Sequence, residues 1–299
     1  MTHMLKNQRE RDRMLPHSST DVSGTLYIVA TPIGNLDDLS KRAKDTLEKA
    51  SFIAAEDTRH TKKLLNYFNI EARLFSLHDH NEKDRAQYIA KLLDDGEDVA
   101  LVSDAGTPLI SDPGYHVVSY LRDLGYQVSP VPGPSAIITA LCASGLPTDK
   151  FFFQGFLPAK SKSRKEVMAS WKQQAGTTVF YESTHRIKDS ISDLMDVFED
   201  DVEIVLAREL TKTFETFLKG KPSYILQRFE EDSNQVRGEF VVMLDYREET
   251  DADDNDQEAK RILEILLQDL SLKQASQLAA KITGLKKNYL YQIALQMQS

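Results

Sequence analysis

Ser103-Asp104-Ala105-Gly106-Thr107-Pro108-Leu109-Ile110-Ser111-Asp112-Pro113-Gly114 is the stretch on which the fold of this chain turns. It follows the short β-branched run Asp98-Val99-Ala100-Leu101-Val102, which reads as a buried strand, and precedes a helical pattern that starts near Tyr115. A loop that leaves the carboxyl end of a parallel strand opens onto the crevice where α/β sheets hold ligands. Ala105 and Gly106 carry almost no side chain, so a ligand can approach their backbone closely, while Pro108 and Pro113 stiffen the loop.

On both sides of this loop the apolar pattern switches regularly between strand and helix. Strands are expected at Gly24 to Thr31, Phe52 to Ala55, Leu74 to Leu77 and Val128 to Val131, with helices at Thr58 to Phe68 and Asp84 to Leu93 between them. Asp37 or Asp38 is expected to cap a further helix before Leu39. Such alternation predicts a largely parallel sheet with crossover helices. After Gly145-Leu146-Pro147 a second α/β unit begins at Phe151, with helices at Ser163 to Gln174 and Ile187 to Phe198 and strands at Thr178 to Tyr181, Val202 to Ala207, Phe214 to Leu218 and Phe240 to Leu244. The expected division is a disordered extension at 1–23, α/β domains at 24–147 and 148–247, an acidic linker at 248–257 and a helical tail at 258–299. Within the tail, Ser271 to Gln274 has capping-box spacing, and Thr283-Gly284 reads as the turn between two helices.

The hydrophobic content of 41% and charged content of 28% are those of a globular chain, and no apolar run reaches the length of a membrane span. Neither a Gly-x-Gly-x-x-Gly turn nor a Gly-Lys-Ser/Thr phosphate loop is present, so an ordinary dinucleotide fold and a P-loop enzyme both lose support. The lone Cys142, in an apolar helical stretch, is expected to be a buried, inert thiol, and a cytoplasmic location is expected. His78-Asp79-His80 reads as a polar loop, and no metal is expected.

The net charge of −9 argues against a polyanionic partner until its distribution is considered. Seven acids and no base fall between Glu248 and Glu258, whereas Lys160, Lys162, Arg164, Lys165 and Lys172 are opposed only by Glu166. Lys273, Lys281, Lys286 and Lys287 in the tail face no acid between residues 271 and 299. Local clusters of this kind suit nucleic acid, although a tail hairpin packed on the body with solvated lysines has the same pattern.

Four segments in order, Val29-Ala30-Thr31-Pro32-Ile33-Gly34-Asn35, the Ser103 to Gly114 loop, Val131-Pro132-Gly133-Pro134-Ser135 and Phe180-Tyr181-Glu182-Ser183, resemble the tetrapyrrole-methylase superfamily over residues 24 to 247. Within it, Asp104-Ala105-Gly106-Thr107-Pro108, Ala55-Glu56-Asp57-Thr58-Arg59-His60-Thr61 and Ala207-Arg208-Glu209-Leu210-Thr211-Lys212 are similar to the ribosomal RNA small subunit methyltransferase I family. That resemblance implies a two-domain α/β fold with S-adenosyl-L-methionine in the cleft, a homodimer, and methylation of a cytidine ribose 2′-oxygen in the decoding region of 16S rRNA, in free RNA or in the small ribosomal subunit. Carried over by position, cofactor contacts fall on Ile33, Ala105, Gly106, Thr107, Ser135, Ala136 and Glu182, with Asp104 and Glu182 suited to the cofactor's amino group or ribose hydroxyls. Glu56, Asp57 and His60 are the candidate bases, and Arg59, Lys160, Lys162, Arg164, Lys165, Arg186, Lys286 and Lys287 the candidate RNA contacts. Porphyrin-methylating members carry Gly-Asp-Pro where this chain has Gly106-Thr107-Pro108, which weakens a tetrapyrrole substrate. A small-molecule methylase and a non-catalytic ribosome-assembly factor of the same fold are the alternatives.

Overall fold

The computed structural model of the chain describes residues 23–246 and 252–297. The first half alternates strictly: β1 (Thr25–Val29), α1 (Lys41–Lys49), β2 (Phe52–Ala55), α2 (Thr58–Tyr67), β3 (Arg73–Ser76), α3 (Glu82–Asp94), β4 (Val99–Val102), α4 (Tyr115–Asp123), β5 (Gln127–Val131) and α5 (Ala136–Ser144). Its five strands pair in the order β3-β2-β4-β1-β5, every pair parallel. The period-2 alternation of a strand sends neighbouring residues to opposite faces. Leu26, Ala54, Val99, Leu101 and Val128 pack with α3 and α4, and Val29, Ile53, Ala55, Ala100 and Val102 pack on the opposite face with α1. Buried on both faces, β4 is apolar throughout, as a central parallel strand must be.

The second half contains β6 (Phe151–Phe156), α6 (Ser161–Ser170), β7 (Thr177–Ser183), α7 (Ile187–Phe198), β8 (Ile204–Arg208), β9 (Thr216–Gly220), α8 (Pro222–Glu231) and β10 (Glu239–Leu244). Here the order is β6-β7-β10-β8-β9, and only β6 and β7 run parallel. The two antiparallel pairings of β10 place Val241 and Met243 on one face and Phe240, Val242 and Leu244 on the other.

One expectation changes at the junction of the halves. Helix α5 belongs to the first half by chain order, yet its Ile137, Ala140 and Leu141 pack on Val179, Val205, Ala207, Val241 and Met243 of the second sheet. From residue 23 through Tyr246 the two α/β halves accordingly form one compact unit with a shared core. Because α5 spends its inward face on that sheet, Cys142 points outward and is exposed, not buried; its Sγ hydrogen-bonds the Thr139 carbonyl. Near the N-terminus the cap also differs. Asn35 caps a short 3₁₀ turn at Leu36–Asp38, and Ser40, not Asp37 or Asp38, caps α1 through the Ala43 N–H.

Residues 252–297 form a second unit. Its helices are α9 (Ala252–Leu266), α10 (Leu272–Thr283) and α11 (Lys287–Met297), packed around Leu263, Ala275, Ala279, Leu290 and Ile293. The capping box at Ser271 and Gln274 is present, and Gly284 ends α10 in the left-handed conformation. Residues 1–22 of the expected extension and 247–251 of the expected linker lie outside the described residues. The remainder of that linker belongs to a helix, since α9 starts at Ala252. No described helix is long and apolar enough to cross a membrane.

Candidate active site

The loops that leave β1, β4 and β5 at their carboxyl ends are stitched together. Thr31 and Gly106 exchange two backbone hydrogen bonds, N–H to carbonyl at 2.8 and 3.0 Å. Thr107 Oγ1 donates to the Pro134 carbonyl at 3.0 Å. Gly106 holds φ +83°, a conformation that glycine adopts without a side-chain clash, and a Cβ there would stand 3.3 Å from Ile33 Cγ2. The far end of the central loop is pinned differently. Leu109 and Ser111 have φ of 72° and 68°, uncommon for residues with a side chain. Glu82 of α3, buried to 4% exposure, accepts the Gly114 N–H at 2.7 Å and the His116 N–H at 2.9 Å, so one carboxylate serves the otherwise unpaired donors that open α4.

These loops enclose one wall of a cavity of about 370 Å³, and β7 and β10 supply the other. Every residue expected to touch a cofactor lines it: Ile33, Asp104, Ala105, Gly106, Thr107, Ser135, Ala136 and Glu182. Phe156, Tyr181 and Leu210 of the second half provide apolar surface opposite them. Glu56 and Asp112 join Asp104 in the lining, and no lysine or arginine does among the described residues. Burial, reinforced by the charges of Asp112 and Asp104, holds the Glu56 carboxyl above the usual carboxylate range. Asp112 is pushed up to about 6 by burial, with a Ser103 hydrogen bond opposing and Asp104 and Asp79 adding to the rise. Burial likewise raises the Tyr181 hydroxyl to about 12.

The remaining candidates are sorted by their partners. Asp57 is drawn out of the cavity: it caps α2 through the Arg59 N–H and binds the Arg59 guanidinium at 2.7 Å, which holds its carboxyl far below the usual range and makes it a poor base. His60 lines a smaller neighbouring cavity instead. Glu182 lies in the wall, but both its oxygens are engaged, one by the Ser183 N–H and Arg186 and the other by the Ser190 hydroxyl. A direct grip on a cofactor's amino group is therefore better placed on Asp104, which gives one oxygen to the Asp57 N–H.

Among the basic residues, Arg164 is buried and is not the RNA contact expected from its run of bases. It is 3% exposed, with Nε 2.6 Å from Asp193, and cannot meet RNA. Lys165 is tied to Asp196 at 2.6 Å, and Arg186 reaches the Leu157 carbonyl and Glu182. Arg59 is exposed but paired with Asp57, whereas Lys160, Lys162, Lys286 and Lys287 are exposed. His78 and His80 sit with rings 6.0 Å apart, and no group of three or more His, Cys, Asp and Glu residues gathers as metal ligands among the described residues. Two residues that shape the site are not singled out by the sequence: Asp112 stands in the central loop without a distinguishing neighbour, and nothing in the pattern at the start of α3 distinguishes Glu82 from a solvated acid.

Two sheets facing a common cleft, with the glycine-bearing loop after β4 at its centre, place the molecule in the methylase class. Residues 25–224 match the tetrapyrrole (corrin/porphyrin) methylases, and residues 253–298 match the RsmI C-terminal HTH domain. Solved structures of the same fold include uroporphyrin-III-C-methyltransferase from Thermus thermophilus, at 18% identity and TM-score 0.52 over 74% of this chain and 94% of that one. The methyltransferase CobJ is similar at 17% identity and TM-score 0.54, over 75% and 94%.

Much nearer in sequence is the ribosomal RNA small subunit methyltransferase I of Escherichia coli O157:H7, 50% identical over 95% of this chain and 100% of that protein. The protein of that name from Vibrio cholerae serotype O1 is 52% identical over 91% and 94%. The chain belongs to the ribosomal RNA small subunit methyltransferase I family.

Proposed function

We propose that the chain methylates the ribose 2′-oxygen of a cytidine in the decoding region of 16S rRNA, with S-adenosyl-L-methionine as donor. The observation that carries this reading is the convergence of all eight expected cofactor residues on one cavity that also holds Glu56. Its volume lies within the range of small-molecule sites. Its carboxylates, with no cationic residue among them, suit a donor carrying a sulfonium and an ammonium group.

When bound, S-adenosyl-L-methionine supplies an electrophilic methyl group. Asp104 would hold the amino group or a ribose hydroxyl rather than the sulfur, because a carboxylate against the sulfonium would stabilise the ground state more than the transition state. Backbone at Ala105 and Gly106 and the faces of Ile33 and Ala136 fix the donor's orientation, and in-line placement supplies much of the rate. Glu56 would take the proton from the ribose hydroxyl as its oxygen bonds the methyl carbon, while the methyl–sulfur bond breaks and a neutral thioether leaves. Burial and the neighbouring carboxylates make Glu56 a stronger base than an ordinary carboxylate. Arg186 screens the buried Glu182, and Lys160, Lys162, Lys286 and Lys287 meet phosphates. The chain acts in the cytoplasm as a homodimer.

The test is transfer of labelled methyl groups to small ribosomal subunits, and to free rRNA, from cells lacking the enzyme. Mass spectrometry of the digested RNA is expected to place the methyl on one cytidine ribose, and a 2′-deoxycytidine at that position is expected to abolish transfer while leaving most binding intact. A methyl found on the base, or equal transfer to the deoxy substrate, refutes the reading.

A further inference from the structure

The mechanism above leaves unused a second cavity of about 200 Å³ that shares Asp104 with the first. Its walls come from the turn after β1, through Pro32 and Leu36, and from the opening turns of α2, through His60, Thr61, Lys63 and Leu64. Thr61 is 2% exposed, and its hydroxyl has no hydrogen-bond partner among the described residues. A buried hydroxyl left unpaired costs on the order of 1–3 kcal/mol, and native chains seldom keep one without a reason. Its neighbours on α2 differ in kind. His60, Lys62 and Lys63 are exposed, and neither lysine is in an ion pair among the described residues.

We infer that this cavity receives the base of an RNA nucleotide turned out of its stack, and that Asp104 and Thr61 make it prefer cytosine. This rests on the rRNA reading above and deepens it. Enzymes that act on one nucleotide within a structured nucleic acid hold the extruded base between apolar or aromatic faces and read its edge by hydrogen bonds. Pro32, Leu36 and Leu64 supply apolar faces, and His60 supplies a flat ring. The Asp104 carboxylate has about four acceptor sites, so beside the Asp57 N–H and the donor it can still accept from the exocyclic amine that cytosine has and uracil lacks, and the Thr61 hydroxyl, buried in the same wall without a partner, donates or accepts at that edge once the base seats against it. Lys62 and Lys63 carry the flanking phosphates, which contribute affinity without reading sequence. With the donor in the larger cavity and the base in the smaller, the ribose lies where the two meet, beside Asp104, with Glu56 in the wall of the larger one.

The inference is tested on the full chain with carbon-13-labelled histidine. Cytidine 5′-monophosphate and uridine 5′-monophosphate are titrated separately, and the His60 ring resonance, assigned with His60→Gln, is followed. Cytidine monophosphate is expected to shift it, with uridine monophosphate about tenfold weaker. Thr61→Val, which removes an oxygen that bonds nothing, is expected to fold with unchanged or raised Tm and unchanged donor affinity by calorimetry, yet to lose the response to cytidine monophosphate. No His60 shift, an equal shift with both nucleotides, or an undiminished response in Thr61→Val overturns the inference. Methylation of small subunits by the wild-type chain is measured in parallel. Active enzyme without a His60 response refutes the cavity's role alone, whereas a His60 response without RNA methylation refutes the proposed reaction and leaves the nucleotide site standing.

Discussion

Replacing Gly106 with alanine separates the cofactor cavity from the backbone that shapes it. At φ +83° an alanine is strained, by about 1–2 kcal/mol for a left-handed residue, and the two hydrogen bonds to Thr31 keep the backbone from relaxing. For a unit of this size that loss lowers Tm by about 2–8 °C. The added methyl also stands 3.3 Å from Ile33 Cγ2, tighter than ordinary contact, so Ile33 must move by a few tenths of an ångström where the donor is proposed to lie. Gly145 is the matched control. Its φ of +71° imposes a similar backbone cost, but a Cβ there meets nothing within 4 Å. Both variants are expected to lose similar stability in thermal melts, and only Gly106→Ala is expected to bind S-adenosyl-L-methionine at least about tenfold more weakly by calorimetry, a difference of about 1.4 kcal/mol. Wild-type affinity in Gly106→Ala, or equal losses of affinity in both variants, would refute the placement of the donor against this loop.

Asp112 has a carboxyl raised to about 6 in the folded chain, above its unfolded value of about 3.9. The folded state then binds more protons between those values, so this group destabilises the chain at neutral pH and the penalty fades as pH falls. Asp112→Asn is expected to be more stable than wild type at pH 8 by about 1 kcal/mol, a figure discounted for partial exposure, and to lose that advantage by about pH 4 in matched melts; an advantage that grows with acid contradicts the assignment. Arg164→Met leaves the buried Asp193 with only Lys165 at 3.4 Å and the Ser161 hydroxyl, and is expected to cost about 3 kcal/mol of stability, the low end for a broken buried pair, without changing RNA affinity in the folded fraction. Lys160→Glu with Lys162→Glu is expected to do the reverse, weakening RNA binding and flattening its dependence on salt, and unchanged salt slopes would remove this segment from the interface.

The parallel sheet was legible because β-branched runs and helical spacing alternate without exception from Thr25 to Val131. The same reasoning missed that the second sheet is mostly antiparallel. A strand buried on both faces, such as β10 with its run Phe240 to Leu244, looks the same whichever way its neighbours run. The cavity lining was legible through motifs whose small residues and prolines mark close approach of backbone. Its electrostatics were not, because they depend on residues brought together from separate loops: Glu56 after β2, Asp104 and Asp112 in the loop after β4. Arg164 shows the complementary failure. A base in a run of bases reads as a solvated contact, and only the approach of α7 with Asp193, 29 residues on, turns it inward. Cys142 escaped for the opposite reason, since a helix apolar on all sides does not declare which side it buries.

The attachment of α5 to the second sheet has a consequence for how the chain could be cut or recombined. A break at the Gly145-Leu146-Pro147 turn, where the composition changes, would leave a first fragment ending in a helix whose Ile137, Ala140 and Leu141 have lost their sheet. The second fragment would present Val179, Val205, Val241 and Met243 bare to water. Each piece keeps the core built from its own residues, but both would expose sticky apolar surface of the sort that drives aggregation. Swapping the second half alone for that of a relative is subject to the same constraint: a graft point before Ser135 carries the helix with its sheet, whereas one at residue 147 asks a foreign helix to fit an unfamiliar surface at the cavity's own wall.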